Sequence, residues 1–313
     1  MKTLIYGAGA VGLGIASFLL KADADIDIIA RQSTAKSLSI LGLVRTGIFG
    51  DYVASPNQFN AYHDLESLGN KHYDYILICA KTYDIESICK NIFSSNLSNL
   101  TTSKIILFNN GWKTHEIASQ FTNHVYNARI ITGFIRTKPN QVDITVHADT
   151  IHIGNISTND PSAVIPISEL INSGGIPCKT VTDIAADLWA KMLYNCALNP
   201  VGAILEVPYG KLGEHPGTRS IMEGIIQEVF EVMTAMGYHI HWDNADDYIE
   251  TFYSTLLPAT YAHKSSMLQD IKAGKRTEID FLNGVIVENA KQLNKNANTN
   301  KMITELIKSK EQI

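Results

Sequence analysis

The sequence predicts an α/β domain with a parallel sheet, followed by a mainly α-helical domain. In the first part of the chain, short apolar runs alternate with helical patterns, as is typical of βαβ units. From Asp183 onward the helical period of the apolar residues dominates. The chain of 313 residues is long enough for two domains. We therefore predict one domain over residues 1–182 and a second over 183–313, separated by a change of period and not by a flexible linker.

Four apolar runs predict the strands of the parallel sheet: Lys2–Tyr6, Asp25–Ala30, Tyr73–Ala80 and Lys104–Phe108. Later β-type stretches predict an antiparallel extension, over Ala128–Thr137, Asp143–His147 and Thr150–Ile153. A helix over Pro161–Ser173 and a strand near Pro177–Val181 would close this domain. For the second domain the apolar period predicts helices over Ile184–Asn199, Thr218–Met236, Asp243–Leu257, Glu278–Lys291 and, near the end, Lys301–Lys310.

The charge and composition exclude several classes of partner. A formal net charge of −5 and a pI near 6.1 provide no basic surface for nucleic acid or for an anionic membrane. No apolar run approaches the roughly 18 residues of a membrane span, and the chain starts without the pattern of a signal peptide. We therefore predict a cytoplasmic protein. Its four cysteines lack the spacing of a zinc site or a disulfide framework.

A glycine motif follows directly after the first predicted strand and before a helical pattern: Gly7-Ala8-Gly9-Ala10-Val11-Gly12. In this context the first glycine permits a tight turn, the second lets a pyrophosphate approach the backbone, and the third allows close packing of helix on strand. The N–H groups at the start of the helix then face the phosphates. The motif predicts a Rossmann-type dinucleotide-binding domain; the alternative is a glycine-rich turn that binds nothing.

Arg31 ends the second predicted strand, about twenty residues after the glycines. An acidic residue at this place would bind the ribose 2′-hydroxyl of NAD, whereas a cation suits the 2′-phosphate of NADP. Asp27 lies too early in the strand for that role. Arg31 therefore favours NADP(H), unless it is only a solvated strand end.

Lys81 and Asn110 follow the next two predicted strands. Because the carboxyl ends of parallel strands line the ligand crevice of a doubly wound sheet, both residues are candidates for contact with the cofactor. Ordinary turn chemistry is the alternative for each, and Asn110-Gly111 is a common turn dipeptide.

Polar residues recur at every fourth position of the first helix of the second domain: Asp187, Lys191, Asn195 and Asn199. This spacing aligns them on one face, while the side chains between them are apolar or aromatic. Burial of a lysine is costly unless it is paired, and desolvation lowers its pKa toward a range useful for proton transfer. Lys191 is thus a candidate general acid, with Asn195 and Asn199 as substrate-binding candidates. A stripe that simply meets solvent is the alternative.

A second polar cluster occupies residues 263–280. Ser266 and Asp270 would share a helical face, since they are four residues apart. Thr277 and Asp280 can start a helix, and Glu278 in its first turn would suit the helix dipole. On this pattern alone, Glu278 needs no catalytic role.

These blocks, in this order, resemble the ketopantoate reductase (2-dehydropantoate 2-reductase) family along nearly the whole chain. The resemblance rests on the glycine motif, Lys81, Asn110-Gly111, the Lys191 to Pro200 helix, and the blocks Ser265–Asp270 and Arg276–Asp280. It implies a helical second domain like that of 6-phosphogluconate dehydrogenase. It also implies NADPH-dependent reduction of 2-dehydropantoate to (R)-pantoate, a step of pantothenate and coenzyme A biosynthesis.

The resemblance further implies the roles of individual residues. Lys191 would be the general acid, and Glu278 would belong to the catalytic site with contacts to substrate and cofactor. Asn195, Asn199 and Ser266 would bind the substrate carboxylate and hydroxyl. Arg31 and Lys81 would contact NADP(H), and Asn110 would lie between cofactor and substrate.

His263 departs from the family pattern, because members often carry a substrate-binding asparagine three residues before the serine at position 266. A histidine can still donate a hydrogen bond, but its size and titration can change substrate choice. Reduction of another branched 2-oxo acid is therefore one alternative, and a non-enzymatic NADP sensor is another. The expected partner is a small 2-oxo acid, and the sequence leaves the oligomeric state open, with a homodimer as one option.

Overall fold

The computed structural model describes residues 1–313, which form two compact units. The first unit contains residues 1–109 and 114–184, and the second contains residues 110–113 and 185–313. No pattern in the sequence predicts that residues 110–113 associate with the second unit. The domain boundary after residue 182 stays a prediction.

The first unit contains a sheet of ten strands: β1 (Lys2–Tyr6), β2 (Asp25–Ile29), β3 (Leu43–Gly47), β4 (Tyr52–Ala54), β5 (Asn60–Tyr62), β6 (Tyr75–Ile78), β7 (Lys104–Leu107), β8 (Val125–Lys138), β9 (Gln141–Gly154) and β10 (Cys178–Thr180). Their order is β4-β3-β9-β8-β7-β6-β1-β2-β5, with β10 beside β9. The strands from β8 to β5 run parallel, and β9 runs antiparallel to β8. The α/β fold class is thus confirmed.

Five helices belong to the segments of this unit: α1 (Ala10–Lys21), α2 (Gln32–Leu41), α3 (Ile85–Phe93), α4 (Thr114–Ser119) and α5 (Ile165–Ser173). The nine consecutive residues from Gly12 to Leu20 in α1 are all buried, because α1 contacts strands as well as α5. The apolar period of the sequence did not reveal β3, β4 and β5, which are only three to five residues long.

The second unit is helical, as predicted: α6 (Ile184–Leu205), α7 (Tyr209–Leu212), α8 (Pro216–Ala235), α9 (Ala245–Thr251), α10 (Leu257–Ala259), α11 (Ser266–Lys272), α12 (Asn283–Gln292) and α13 (Asn298–Lys310). A π-helical turn, Phe252–Leu256, joins α9 to α10. None of the helices combines the length and the hydrophobicity that a membrane span needs.

The predicted end of the first of these helices at Asn199 is wrong, because α6 continues through Pro200 to Leu205. A proline inside a helix has no N–H for the carbonyl four residues earlier, here that of Cys196. The side chain of Asn283 donates to this carbonyl at 3.1 Å. A distant amide thus replaces the missing backbone donor, and the helix continues.

The expectation that Glu278 lies in the first turn of a helix is also wrong. Glu278 precedes a short 3₁₀ turn over Ile279–Phe281, and α12 begins only at Asn283. Because Glu278 lies outside α12, the helix dipole does not explain its presence.

Candidate active site

The three glycines of the first loop have three different environments. Gly7 has a positive φ of +106°, and its N–H donates to the carbonyl of Ile29 at 2.9 Å. A Cβ on Gly12 would collide with the carbonyl oxygen of Gly7, whereas a Cβ on Gly9 would meet only the carbonyl of Cys79, at 3.9 Å. Gly7 therefore makes the turn, Gly12 permits the packing of α1 on the loop, and Gly9 borders open space that suits a pyrophosphate.

The N-terminus of α1 offers donors to that space. Gly9 is the N-cap residue, no side chain caps the helix, and its first turn contains no acidic residue. An α-helix leaves its first N–H groups without intrahelical acceptors, so those of Ala10 and Val11 can bind an anion. The residues present therefore fit a dinucleotide phosphate.

The sheet places three predicted cofactor residues at one edge. In the registers of β1 with its two neighbours, Tyr6 pairs with Ile29 of β2 and with Ile78 of β6. The glycine loop, Arg31 and Lys81 therefore leave the sheet at the same edge. Arg31 is the N-cap residue of α2, and Lys81 begins the turn after β6.

Asp27, which the sequence excluded from binding the ribose, has structural partners. Its carboxylate accepts hydrogen bonds from Tyr73 at 2.6 Å, Asn60 at 2.8 Å and Lys71 at 2.9 Å. Burial raises the pKa of Asp27, but these donors outweigh burial and lower the pKa overall. Asp27 therefore stabilises the sheet as a buried carboxylate.

In the second unit, the catalytic candidate Lys191 is bonded to Asn110. Lys191 Nζ donates to Asn110 Oδ1 at 2.7 Å. Lys191 is half-buried, whereas Asn195 and Asn199 on the same face of α6 are only 9% and 5% exposed. The row predicted from the four-residue spacing is thus an inward-facing row, and not a broad solvated face.

Asn110-Gly111 is more than a turn dipeptide. Gly111 has a φ of +88°, and a Cβ there would come within 2.5 Å of the carbonyl oxygen of Phe281. The N–H of Trp112 donates to the same carbonyl at 2.9 Å, and the Trp112 ring lies 4.4 Å from that of Trp189 on α6. These contacts place the Asn110 side chain against Lys191.

Asn199 is oriented by groups that the sequence analysis did not identify. The hydroxyl of Tyr209 donates to Asn199 Oδ1 at 2.5 Å, which leaves the Nδ2 group of Asn199 as a donor for a ligand. Burial raises the pKa of Tyr209 well above its ordinary value, so the phenol stays a neutral donor. Ser265 donates to the main-chain carbonyl of Asn199 at 3.2 Å and caps α11 through the N–H of Leu268 at 3.0 Å.

His263 contacts Tyr209 through its ring and through its backbone. The two ring centroids are 5.2 Å apart, and the N–H of Tyr209 donates to the carbonyl of His263 at 2.9 Å. Partial burial lowers the pKa of His263. Tyr209 thus links two predicted substrate-binding residues, Asn199 and His263.

The two remaining site candidates differ in exposure. Ser266 is the first residue of α11 and is exposed, whereas Glu278 is only 7% exposed.

Comparison with known proteins identifies the family. The family model "Ketopantoate reductase PanE/ApbA" matches residues 3–158, and "Ketopantoate reductase PanE/ApbA C terminal" matches residues 183–311. A 2-dehydropantoate 2-reductase of Aquifex aeolicus is 34% identical over 314 residues, which cover 99% of this chain and 97% of that protein. The chain belongs to the ketopantoate reductase family. It is therefore an oxidoreductase, and these relatives support the reduction of ketopantoate as its activity.

Solved structures confirm the fold. A ketopantoate reductase of this family from Ralstonia eutropha JMP134 superposes with a TM-score of 0.86 at 26% identity, over 100% of this chain and 99% of that one. A D-mandelate dehydrogenase with NADH and anilino(oxo)acetate gives 0.87 at 21% identity, over the same shares of both chains. At that identity the second likeness shows the fold alone.

Two of the residues that sequence reasoning missed had a detectable signal. Pro200 inside an apolar helical pattern implies an orphan carbonyl and hence a polar partner, which is Asn283. Ser265 three residues before Leu268 has the spacing of an N-cap. No pattern in the sequence connects Tyr209 with Asn199, because their bond depends on the tertiary structure.

Proposed function

We propose that this chain catalyses the NADPH-dependent reduction of 2-dehydropantoate to (R)-pantoate, in the cytoplasmic synthesis of pantothenate and coenzyme A. The single observation that carries the mechanism is the hydrogen bond between Lys191 and Asn110 beside an inward-facing amide row, in a chain of this family. A 2-oxo acid needs a proton donor at its carbonyl oxygen and donors for its carboxylate.

The cofactor is proposed to be NADP(H). Support for a nicotinamide dinucleotide comes from the open space beside Gly9 and from the related fold of D-mandelate dehydrogenase, whose structure contains NADH. The preference for the 2′-phosphate rests on Arg31, with Lys81 at the same edge of the sheet. Bound NADPH would supply the hydride that forms the new C–H bond at C2 of the substrate.

The residues of the chain would manage the charge and the proton. Lys191 Nζ transfers a proton to the ketone oxygen as the carbonyl electron pair moves onto that oxygen. Asn110 fixes the direction of the ammonium group. The carboxylate and the hydroxyl of the substrate are bound by Ser266 and by the Nδ2 groups of Asn195 and Asn199. Buried Glu278 adds a carboxyl group to this proposed site. Asn110 and Tyr209 orient Lys191 and Asn199 before the substrate arrives, which lowers the barrier for charge developing on oxygen.

NADPH oxidation, followed by absorbance with ketopantoate and with a panel of other branched 2-oxo acids, tests this proposal. We expect the highest kcat/KM with ketopantoate and NADPH, and little turnover with NADH. A higher kcat/KM for another 2-oxo acid would contradict the proposed substrate. Cofactor binding without any turnover would instead support the NADP sensor.

Reduction of a different branched 2-oxo acid is the second candidate function, and His263 favours it. The imidazole is larger than the asparagine often found at this place in the family, and it contacts the ring of Tyr209. His263→Asn provides the matched variant. If the native chain prefers another acid, this substitution should shift its preference toward ketopantoate.

A further inference from the structure

One arginine, at the edge of the sheet where the glycine loop and Arg31 lie, has no role in the site described so far. Arg136, near the end of β8, donates through Nη2 to Thr34 Oγ1 at 2.8 Å and through Nη1 to the carbonyl of Ala8 at 3.4 Å. Ala8 belongs to the glycine loop, and Thr34 lies in the first turn of α2, directly after its N-cap Arg31. A single guanidinium therefore contacts both the glycine loop, which would bind the pyrophosphate of NADP, and the start of α2, which would bind its 2′-phosphate.

The charges around Arg136 are unusual for a structural arginine. Its hydrogen-bond acceptors are neutral: the Thr34 hydroxyl and the carbonyls of Ala8 and Lys138. Neither α1 nor α2 has an acidic residue in its first turn. Partial burial and the positive charge of Arg31 lower the pKa of Arg136. Arg31 and Arg136 both border the N-terminus of α2, so their like charges repel, and an anion bound there would relieve that repulsion.

The charge and the hydrogen-bond donors of the two arginines indicate which anion would bind. A phosphate monoester carries about two negative charges at neutral pH, and it accepts the forked hydrogen bonds of arginine better than a neutral hydroxyl does. In a Rossmann-type domain the 2′ position of the ribose lies beside the end of the second strand, which is where Arg31 follows β2. NAD has only a hydroxyl there.

We propose that Arg136 is a second arginine for the 2′-phosphate of NADP(H), so that Arg31 and Arg136 together set the preference for NADPH over NADH. This inference rests on the proposed function. Thr34 is a positioning residue, because its hydroxyl accepts from Arg136 and thereby holds the guanidinium beside the N-terminus of α2.

A purely structural role predicts a different result from a cofactor role. If Arg136 only connected β8 to the glycine loop and α2, its loss would weaken binding of NADPH and NADH alike. If Arg136 binds the 2′-phosphate, its loss weakens the binding of NADPH and leaves the binding of NADH unchanged. The decisive quantity is therefore the ratio of the two affinities and not the activity.

The experiment measures binding of NADPH, NADH, 2′,5′-ADP and 5′-AMP by calorimetry to the native chain, Arg136→Ala, Arg136→Lys and Lys138→Ala. For Arg136→Ala we expect the Kd of NADPH and of 2′,5′-ADP to rise about 10- to 100-fold, with unchanged Kd for NADH and 5′-AMP. Arg136→Lys keeps the charge but not the forked hydrogen-bond donors, so it should raise the Kd of NADPH and of 2′,5′-ADP by a smaller factor. Lys138→Ala removes one exposed charge from the same strand end and should leave all four affinities unchanged.

The two proposals fail in different ways. A native chain that binds NADH as tightly as NADPH would overturn the NADP assignment, and this inference with it. A native chain that prefers NADPH, and keeps the same preference after Arg136→Ala, would overturn only the role of Arg136. A fall in both affinities by one factor would show Arg136 to be structural.

Discussion

The glycine loop and the amide row of α6 reach their geometry in opposite ways. In the loop, six consecutive residues supply the turn, the open space and the packing through their backbone. In the row, Lys191 is held by a residue 81 positions away, and the carbonyl of Cys196 is satisfied by one 87 positions away. Neighbouring residues alone thus determine the geometry of the glycine loop, whereas the candidate catalytic row needs partners that only folding brings together.

The largest expected effect is that of Lys191→Ala, which tests whether the row is catalytic at all. Loss of a general acid should lower kcat by about 10²- to 10⁴-fold, with an unchanged Kd for NADPH, because the cofactor residues of the first unit are untouched. Stopped-flow reduction and calorimetry measure the two quantities. Lys301→Ala, at an exposed lysine of α13, is the control. Unchanged turnover would remove Lys191 from the mechanism.

Two glycine variants sharpen the view that the loop acts through its backbone. For Gly9→Ala we expect an unchanged Tm without ligand and weaker NADPH binding, because the new methyl group meets no close protein atom. For Gly12→Ala we expect a loss of about 1–3 kcal/mol in the free energy of unfolding, since the methyl group would collide with the carbonyl of Gly7. Equal effects of both variants on stability would contradict these separate roles.

A double-mutant cycle tests the long-range support of α6. Asn283→Ala should cost about 1–3 kcal/mol of unfolding free energy, because the carbonyl of Cys196 is left without a donor. Pro200→Ala restores a backbone N–H to that carbonyl, so Asn283→Ala should cost less in this background. Urea titration of the four proteins gives the coupling energy. Additive effects would show that Asn283 does not compensate for the proline.

Tyr209→Phe tests whether the orientation of Asn199 depends on its hydroxyl. Without that donor the Asn199 amide can turn over and present its oxygen to the substrate carboxylate. We expect KM for the 2-oxo acid to rise roughly 3- to 10-fold, equivalent to about one hydrogen bond, with a smaller change in kcat. Tyr194→Phe is the matched control, since it also removes a tyrosine hydroxyl bond, here to Thr260 and not to Asn199. An equal rise in KM for both variants would exclude a specific role of Tyr209.

The smallest expected effect concerns the pH dependence of stability. Burial lowers the pKa of His263 from its ordinary value of 6.5, so the unfolded chain binds more protons than the folded chain just below pH 6.5. Stability contributed by neutral His263 is therefore complete above pH 6.5 and is lost as the pH falls below it. We expect His263→Asn to flatten the dependence of Tm on pH slightly in this range. An unchanged slope would show that His263 titrates normally.

Prediction from sequence succeeded where the signal was local or periodic. The parallel strands β1, β6 and β7 carry apolar runs, and both α6 and the C-terminal helices carry the helical period. The end of α6 was wrongly predicted because a proline rule considers only the helix itself, whereas Asn283 lies outside it. Glu278 was wrongly placed in the first turn of a helix, because the sequence pattern did not reveal the 3₁₀ turn that precedes α12.

The sequence by itself determined the α/β and helical fold classes, the glycine loop with its likeness to a dinucleotide site, and the four-residue spacing of the candidate catalytic row. These features are encoded in neighbouring residues, whose backbone and side-chain periodicity act over one turn or one strand. Only the tertiary structure decided that Asn110 contacts Lys191, that Tyr209 orients Asn199, and that Arg136 reaches the glycine loop and α2. Each of those contacts joins side chains from different elements, and their distance is fixed by packing rather than by sequence separation.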